Sequence, residues 1–405
     1  MQPAAGAHCS PQASPDRRAC RVARFDAPAA RAHAPTPRFV SPDPGPVTHR
    51  VEERQPALDL YASQVSLIEP GAPRRSSPCT VCRDEWVRAR FAVAGLDAPI
   101  VVCETCGLGR FDPLPDAETI AGFYPDDYYG EPDSAGSKFR PWIEWLVRLV
   151  AARHLDFLCA GLPPGARVLD IGCGRGVILG PLADRGFEAH GVEVSEAATR
   201  GVDPRARIRI ATSLAEADYP QESFDQVVIW HVLEHLADPR ATLEECHRVL
   251  RPGGRLIVAV PNFSSWQARW AGPAWFHLDP PRHLYQFPLG ALRRLIDDCG
   301  FACGASYHFS LRQNPFGWIQ SALNRMDPAH PNRLYTALHH PAQRTVAAPG
   351  GEDLRARAGA ALVLALGALP SLALSAAEAL AGQGATVHVV ATRSAAAPDD
   401  GARTR

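Results

Sequence analysis

The chain has almost no lysine: of its 42 basic residues, only Lys138 is not arginine. With the heavy load of Ala and Pro, this reads as coding bias in a GC-rich genome rather than as a function. Net charge is also lacking. The 42 Lys+Arg stand against 43 Asp+Glu, a formal −1, so no whole-chain field draws the protein to nucleic acid or to an acidic surface. Residues 1–40 hold no apolar run long enough for the core of an export signal, and a cytoplasmic protein is expected. Eleven cysteines in 405 residues are too dilute for a small disulfide scaffold. No internal repeat is visible. The length leaves room for two or three domains with a sizeable core.

Residues 1–75 are rich in Pro, Ala and Arg and carry no lasting periodicity. They are expected to be a disordered tail, since so little apolar surface cannot offset the ordering entropy. A start codon assigned upstream of the true one is an equal reading. Residues 76–137 hold four cysteines and an aromatic, acidic linker that includes Phe123–Tyr129. From Lys138 to Ala160, apolar residues recur at helical spacing: Trp142, Trp145, Leu146, Leu149 and Val150. Beyond them short apolar runs alternate with amphipathic stretches. Strands are expected at 166–171, 187–193, 206–211, 224–230, 254–260, 301–309 and 385–392. Helices are expected at 177–185, 195–200, 237–250 and 288–299. That alternation predicts an α/β fold, a doubly wound and mostly parallel sheet of seven strands. Its core spans 138–310, a helical insertion occupies 311–384, and 385–393 returns as the last strand. Residues 394–405 are a second disordered tail.

Cys79-x-x-Cys82 is followed after twenty residues by Cys103-x-x-Cys106, with Gly107 next. Each pair can form a turn that points two thiolates at one ion, and four sulfurs give the closed tetrahedral site of a structural zinc. Two redox pairs are the other reading. Between the pairs, Trp86, Val87, Phe91, Val93, Ile100, Val101 and Val102 could supply short strands.

Val168-Leu169-Asp170-Ile171-Gly172-Cys173-Gly174-Arg175-Gly176 carries the most information. A strand ends in an acid, then Gly-x-Gly-x-Gly, then a helix. Glycines let a backbone approach a ligand closely, and the helix start offers free N–H groups. A dinucleotide fingerprint would need glycine where Val177 stands, and the Gly-Lys-Ser/Thr of a phosphate loop is absent. Seventeen residues after Gly176, Glu193 ends the next strand, where an acid can accept bonds from a ribose diol.

Together with Phe224–His235, Leu250–Asn262 and Asp279–Phe287, this constellation resembles the class I S-adenosylmethionine-dependent methyltransferases over about Lys138 to Arg393. The cysteine module and the Tyr-Tyr segment look like the N-terminal part of one bacterial branch. The resemblance implies that Asp170, Gly172, Cys173, Gly174 and Gly176 surround the methionine end of the cofactor. Glu193 would bind the ribose. Thr212-Ser213-Leu214 would edge the adenine; many relatives have an acid at Ser213, so the Leu214 backbone would substitute. Trp230 and His231 would lie beside the sulfonium.

His231-x-x-Glu234-His235 also spells a zinc-protease pattern. Here it leaves a buried strand inside a methyltransferase frame, so that reading is set aside. Quinone O-methyltransferases similar to this chain carry a comparable step, and some hold a divalent metal there. His231, Glu234 and His235 are therefore metal or base candidates, or a structural cluster. The loop 276–285 would roof the acceptor pocket, with His283 as a second base candidate and Arg282 holding an anionic group.

Residues 358–381 contain one charge, Glu378, and pass the length test for a membrane span. The strand that follows is needed by the sheet, so a span is not expected. Pro370 should divide the segment into two short helices, packed over the pocket or lying in a membrane interface, where they make peripheral contact. The function expected is methyl transfer to a small molecule or glycoconjugate, at oxygen, with no nucleic acid partner. The alternative is a binding or scaffold protein on a decayed methyltransferase fold. Asp279-Pro280-Pro281 falls after the fifth strand, out of place for base methylation.

Overall fold

A computed structural model describes residues 63–124, 153–339 and 352–394. Residues 1–62 of the tail expected over 1–75, the linker 125–137 and residues 138–152, expected to be helical, lie outside them, as do residues 340–351 and 395–405.

Seven strands form the main sheet: β6 (Arg167–Ile171), β7 (Glu188–Glu193), β8 (Arg207–Ile210), β9 (Phe224–Trp230), β10 (Leu250–Pro261), β12 (Phe301–Tyr307) and β13 (Thr386–Arg393). Their order is β12-β13-β10-β9-β6-β7-β8, and only β13 runs antiparallel to its neighbours. Both faces are covered, so the strands read as continuous apolar runs. Leu169, Ile171, Val227 and Ile229 belong to one core, and Val168 and Val228 to the other. The parallel register stacks Ile171 beside Val192 and Ile229. The carboxyl ends of β6, β7 and β9 therefore share one rim, where ligands of such sheets bind.

Local chemistry sets the helix starts. In α4 (Pro239–Val249) the Asp238 carboxylate accepts the Ala241 N–H at 2.9 Å, and Pro239 opens the first turn. In α6 (Leu289–Asp298) the buried residues Ala291, Leu292, Leu295 and Ile296 keep one face inward. The other helices are α1 (Ala117–Gly122), α2 (153–159), α3 (Leu179–Asp184), α5 (Trp266–Ala271), α7 (Asn314–Met326), α8 (Arg333–His339) and α9 (Glu352–Leu380). Three expectations need correction. The tail expected to be disordered over 1–75 is ordered in its last part, where Val65–Leu67 and Arg74–Arg75 pair as strands with Trp86–Val93, burying backbone groups in a ladder. The helix expected at 195–200 is one 3₁₀ turn, Ala197–Thr199, stopped by Gly201 at φ 83°. Residues 358–380 are not two helices: α9 runs unbroken through Pro370. Pro370 sits on the outward side, so the carbonyl it leaves unpaired faces out, while the opposite side is held by tertiary packing.

The cysteine segment folds as a second sheet, β1 (Val65–Leu67), β3 (Trp86–Val93), β4 (Ile100–Cys103) and β5 (Gly109–Phe111), with β2 (Arg74–Arg75) added on β3. Its last strand is β11 (Tyr285–Gln286), which comes from between β10 and α6 of the main domain. Phe91, Ile100 and Phe111 of this sheet join the same core as Leu243, Leu292 and Leu295.

Candidate active site

The glycine loop leaves β6 with Gly172, Gly174 and Gly176 all at positive φ. A Cβ on Gly172 would lie 2.5 Å from a Val232 methyl, and one on Gly176 2.7 Å from a Val202 methyl. These two glycines are required by packing. Gly174 differs: nothing lies within 4 Å of where its Cβ would be, so its open side is the space a ligand can enter. The Cys173 Sγ turns onto Gly191 of β7, while its backbone N–H donates to the Val192 carbonyl at 3.1 Å and its carbonyl accepts the Gly176 N–H at 2.8 Å.

Glu193 is buried at the end of β7. One carboxylate oxygen accepts the Gly174 N–H at 2.9 Å, and the other accepts Val194 N–H at 2.9 Å and Ser195 N–H at 3.1 Å. It thus ties the glycine loop to the next strand. Asp170 lies behind it. Burial, with the Glu193 charge adding to it, pushes the Asp170 carboxyl up to about 8. A cationic group placed against Asp170 would bring it back toward the carboxylate range. Leu214 is buried, and the Ser213 hydroxyl is spent on the Glu216 N–H at 3.1 Å.

The β9 end carries a second set of groups. The Trp230 ring lies between the imidazoles of His154 on α2 and His388 on β13, with centroids 3.8 and 4.6 Å away. His231 takes φ 54°, a left-handed conformation rare for a residue with a side chain and typical of functional positions. Its Nδ1 is 3.3 Å from Glu234 Oε1. Glu234 is buried. Burial opposes its charge, but the His231 hydrogen bond and the surrounding imidazoles outweigh this and hold it below the usual carboxylate range. Against an anionic partner, His231 Nδ1 carries the proton, so Nε2 is the basic nitrogen. That Nε2 is buried and has no partner among the described residues.

The 276–285 loop reaches the same place from the other side. His283 Nδ1 donates to the His277 carbonyl at 2.9 Å, and its Nε2 is 4.0 Å from Glu234 Oε1. His235 Nδ1 is 3.0 Å from the Arg282 carbonyl and 2.7 Å from the Tyr124 hydroxyl. Glu234, His235 and His283 offer three ligand atoms within 4.8 Å of one another. The grouping expected from sequence, His231 with Glu234 and His235, is thus replaced by one in which His283 takes the third place. The role expected for Arg282 also changes. Its guanidinium is buried in a two-pronged pair with Asp279, at 2.6 and 3.2 Å, and is not held out to an anionic substrate.

Several residues of this rim carried no sequence motif. His277 and His388 are buried and His154 half-buried, each with a buried Nε2 lacking a partner among the described residues. Burial pushes all three down, to about 4, 3 and 3, so they are neutral at pH 7. Glu378 of α9 accepts the Asn314 amide at 3.1 Å, and burial raises it to about 7. An isolated His in an apolar strand, such as His388 in Val387-His388-Val389, was the only available signal.

In the cysteine sheet the four thiols converge. The Cys79–Cys106 and Cys82–Cys103 sulfur separations are 3.6 and 3.5 Å, and all four lie within 4.8 Å. A tetrahedron with Zn–S bonds of about 2.3 Å has edges of roughly 3.8 Å, so the donor set fits one such ion.

Comparison with known proteins places the chain in a family. Residues 142–305 match a family model described as a methyltransferase domain. A ubiquinone biosynthesis O-methyltransferase of Alkalilimnicola ehrlichii is 34% identical over 120 residues, 27% of this chain and 48% of that protein. Its namesake from Cereibacter sphaeroides is 32% identical over 211 residues, 45% of this chain and 84% of that protein. The chain thus spans about half of the first relative and most of the second. A solved S-adenosylmethionine-dependent methyltransferase from Archaeoglobus fulgidus is 18% identical, covering 62% of this chain and 100% of its own, with a TM-score of 0.38. The chain belongs to the class I S-adenosylmethionine-dependent methyltransferases.

Proposed function

We propose that the enzyme methylates a hydroxyl of a small molecule or glycoconjugate, with His231 as general base. One observation carries this reading: Glu234 anchors the His231 Nδ1–H, and the buried Nε2 has no partner among the described residues. The names of the relatives support oxygen as the acceptor atom. S-adenosylmethionine supplies a methyl made electrophilic by its sulfonium. The residues of this chain bind and align. The glycine loop and Asp170 take the methionine end, with Asp170 facing its ammonium. Glu193 takes the ribose diol, the Ser213–Leu214 backbone the adenine edge, and Trp230 walls the reacting centre. As the acceptor oxygen attacks, its proton passes to His231 Nε2. His231→Ala should lower kcat by roughly 10²–10⁴-fold and leave cofactor affinity by calorimetry unchanged. An undiminished kcat would remove His231 from this role.

A second reading of the same rim adds a divalent ion held by Glu234, His235 and His283. The Nδ1 atoms of both histidines lie within hydrogen-bond reach of backbone carbonyls, an arrangement that orients metal-ligating imidazoles. Glu234 Oε2 is buried and has no partner among the described residues. Such an ion would polarise the acceptor oxygen. A Mn²⁺ titration read by electron paramagnetic resonance should lose its binding phase in His283→Ala; identical titrations would dismiss the ion. The four cysteines are read as holding one structural zinc.

The outward side of α9 is read as resting on a lipid surface. Leu362, Leu366, Leu369 and Leu380 are 59, 69, 77 and 90% exposed, while Ser371, Ser375 and Glu378 face the protein. This inverts the usual pattern of a surface helix. The wild-type protein should sediment with anionic lipid vesicles and Leu366→Gln/Leu369→Gln should not; equal sedimentation would refute the contact.

A further inference from the structure

The cysteine sheet and the acceptor loop are parts of one hydrogen-bonded unit. Cys106 leads through Gly107 and Leu108 directly into β5, and the turn is closed by Gly107 N–H to Cys103 O and Cys103 N–H to Leu108 O, both at 2.9 Å. β5 then pairs with β11, placing Arg110 beside Tyr285 and Gly109 beside Gln286. A Cβ on Gly109 would come 2.8 Å from the Gln286 Cβ, so this close approach requires glycine. Gln286 is buried, and its amide donates to the Leu278 carbonyl at 2.9 Å, across the base of the loop that carries Asp279, Arg282 and His283. Tyr285 donates to the Ala237 carbonyl at 3.1 Å, two residues past His235. On the other knuckle, Arg240 of α4 donates to the carbonyls of Thr80 and Val81, at 3.0 and 3.2 Å. The loop that brings His283 to Glu234 is therefore fastened to the sheet that the four cysteines terminate. Among the described residues, the backbone N–H groups of Gly172 and Cys173 bond the Val192 carbonyl and that of Gly174 bonds Glu193, so these ties of the glycine loop run to β7.

We propose that the metal-bound cysteine sheet positions the acceptor side of the active site, with Gly109 and Gln286 as positioning residues, and that its state leaves the cofactor side untouched. This rests on the zinc and acceptor-site readings above. Metal anchors the Cys103–Cys106 turn, the turn sets β5, and β5 sets β11 and the loop behind it. The consequence is selective: an enzyme stripped of this metal still binds S-adenosylmethionine but no longer holds His283 and the 276–287 loop in place.

The test is amide hydrogen exchange on the full chain, as purified and after metal removal by a chelator, with metal content and cofactor affinity measured on the same samples. Exchange in 276–287 should rise at least about tenfold on metal removal, the scale of opening a local unit, and cofactor affinity should not change. Gly109→Val separates the coupling from folding of the knuckles. It should keep its metal and its cofactor affinity, yet show the same loss of protection and a raised acceptor KM. Unchanged protection of 276–287 in either sample overturns the proposal. So does protein purified without metal, or cofactor affinity lost together with the metal. Protection that follows the metal in an enzyme without methyl transfer would instead overturn the function reading and leave the coupling intact.

Discussion

The two sides of the candidate site are built on opposite terms. On the cofactor side the polar groups largely satisfy one another: Glu193 takes three backbone N–H groups, and two of the three glycines are spent on packing. That side is drawn from one stretch of chain, 167 to 214. On the acceptor side the side chains come from α2, β9, the 276–285 loop and β13. There Glu234 Oε2 and the Nε2 atoms of His154, His231, His277 and His388 have no partner among the described residues. Buried polar groups normally find partners, and each one left without costs about 1–3 kcal/mol. The difference separates a loop whose polar groups are already paired from a cluster of buried polar groups that are not. On the cofactor side Asp170 is a buried acid, raised to about 8 by burial and the Glu193 charge.

Three measurements can break or sharpen this contrast. The largest effect is expected from Gly174→Val, which fills the open side of the loop and forces a side chain into φ 49°. Cofactor affinity should fall roughly a hundredfold, combining blocked space with the 1–2 kcal/mol of left-handed strain, while Mn²⁺ binding on the acceptor side is retained. A calorimetric titration matching wild type would place the cofactor elsewhere.

The next effect is pH-linked. Asp170 binds a proton in the free protein below about 8, and a cofactor ammonium would lower that value. Cofactor binding should therefore release a proton and tighten with rising pH, by at most about tenfold per unit, levelling off above about 8. Affinity that is flat between pH 6 and 8 would separate Asp170 from the ammonium. Asp170→Asn should abolish the slope.

The smallest effect concerns stability of the free protein. His154, His190 and His388 have folded values lowered by burial to about 4, 4 and 3. Their contribution is present above the ordinary histidine value near 6.5 and lost as pH falls from there toward 4. Asp170 and Glu378 are raised by burial to about 8 and 7. Their contribution is present below the ordinary carboxylate range and lost as pH rises through 7 to 8. Thermal melting should therefore peak between about pH 6 and 7. His190→Gln should flatten the acid limb and Glu378→Gln the alkaline one. Limbs unaltered by both would mean these groups do not set the profile.

The main sheet was legible because its signals are local. Apolar runs at 166–171, 187–193, 224–230 and 385–392 lie within a residue or so of the strand bounds. The Gly-x-Gly-x-Gly turn and Glu193 are likewise set by the backbone at their own positions. Other features were not local. Pro370 was read as a breaker from its own ring, yet the helix is carried through it by packing of its inward side, where Gly367 meets Ile319. Arg282 was read as an open cation, although Asp279 three residues away neutralises it.

By itself, then, the sequence determined the sheet, its strands, the cofactor turn and the cysteine quartet, because periodicity and glycine conformations act within a few residues. Only the tertiary structure decided which histidines surround Glu234, that His388 and His154 enclose Trp230, and that Tyr285 and Gln286 belong to the cysteine sheet. Those placements depend on contacts between segments far apart in the chain, up to 177 residues for Gly109 and Gln286. No local propensity records such a contact; burial and hydrogen bonding in the folded core create it.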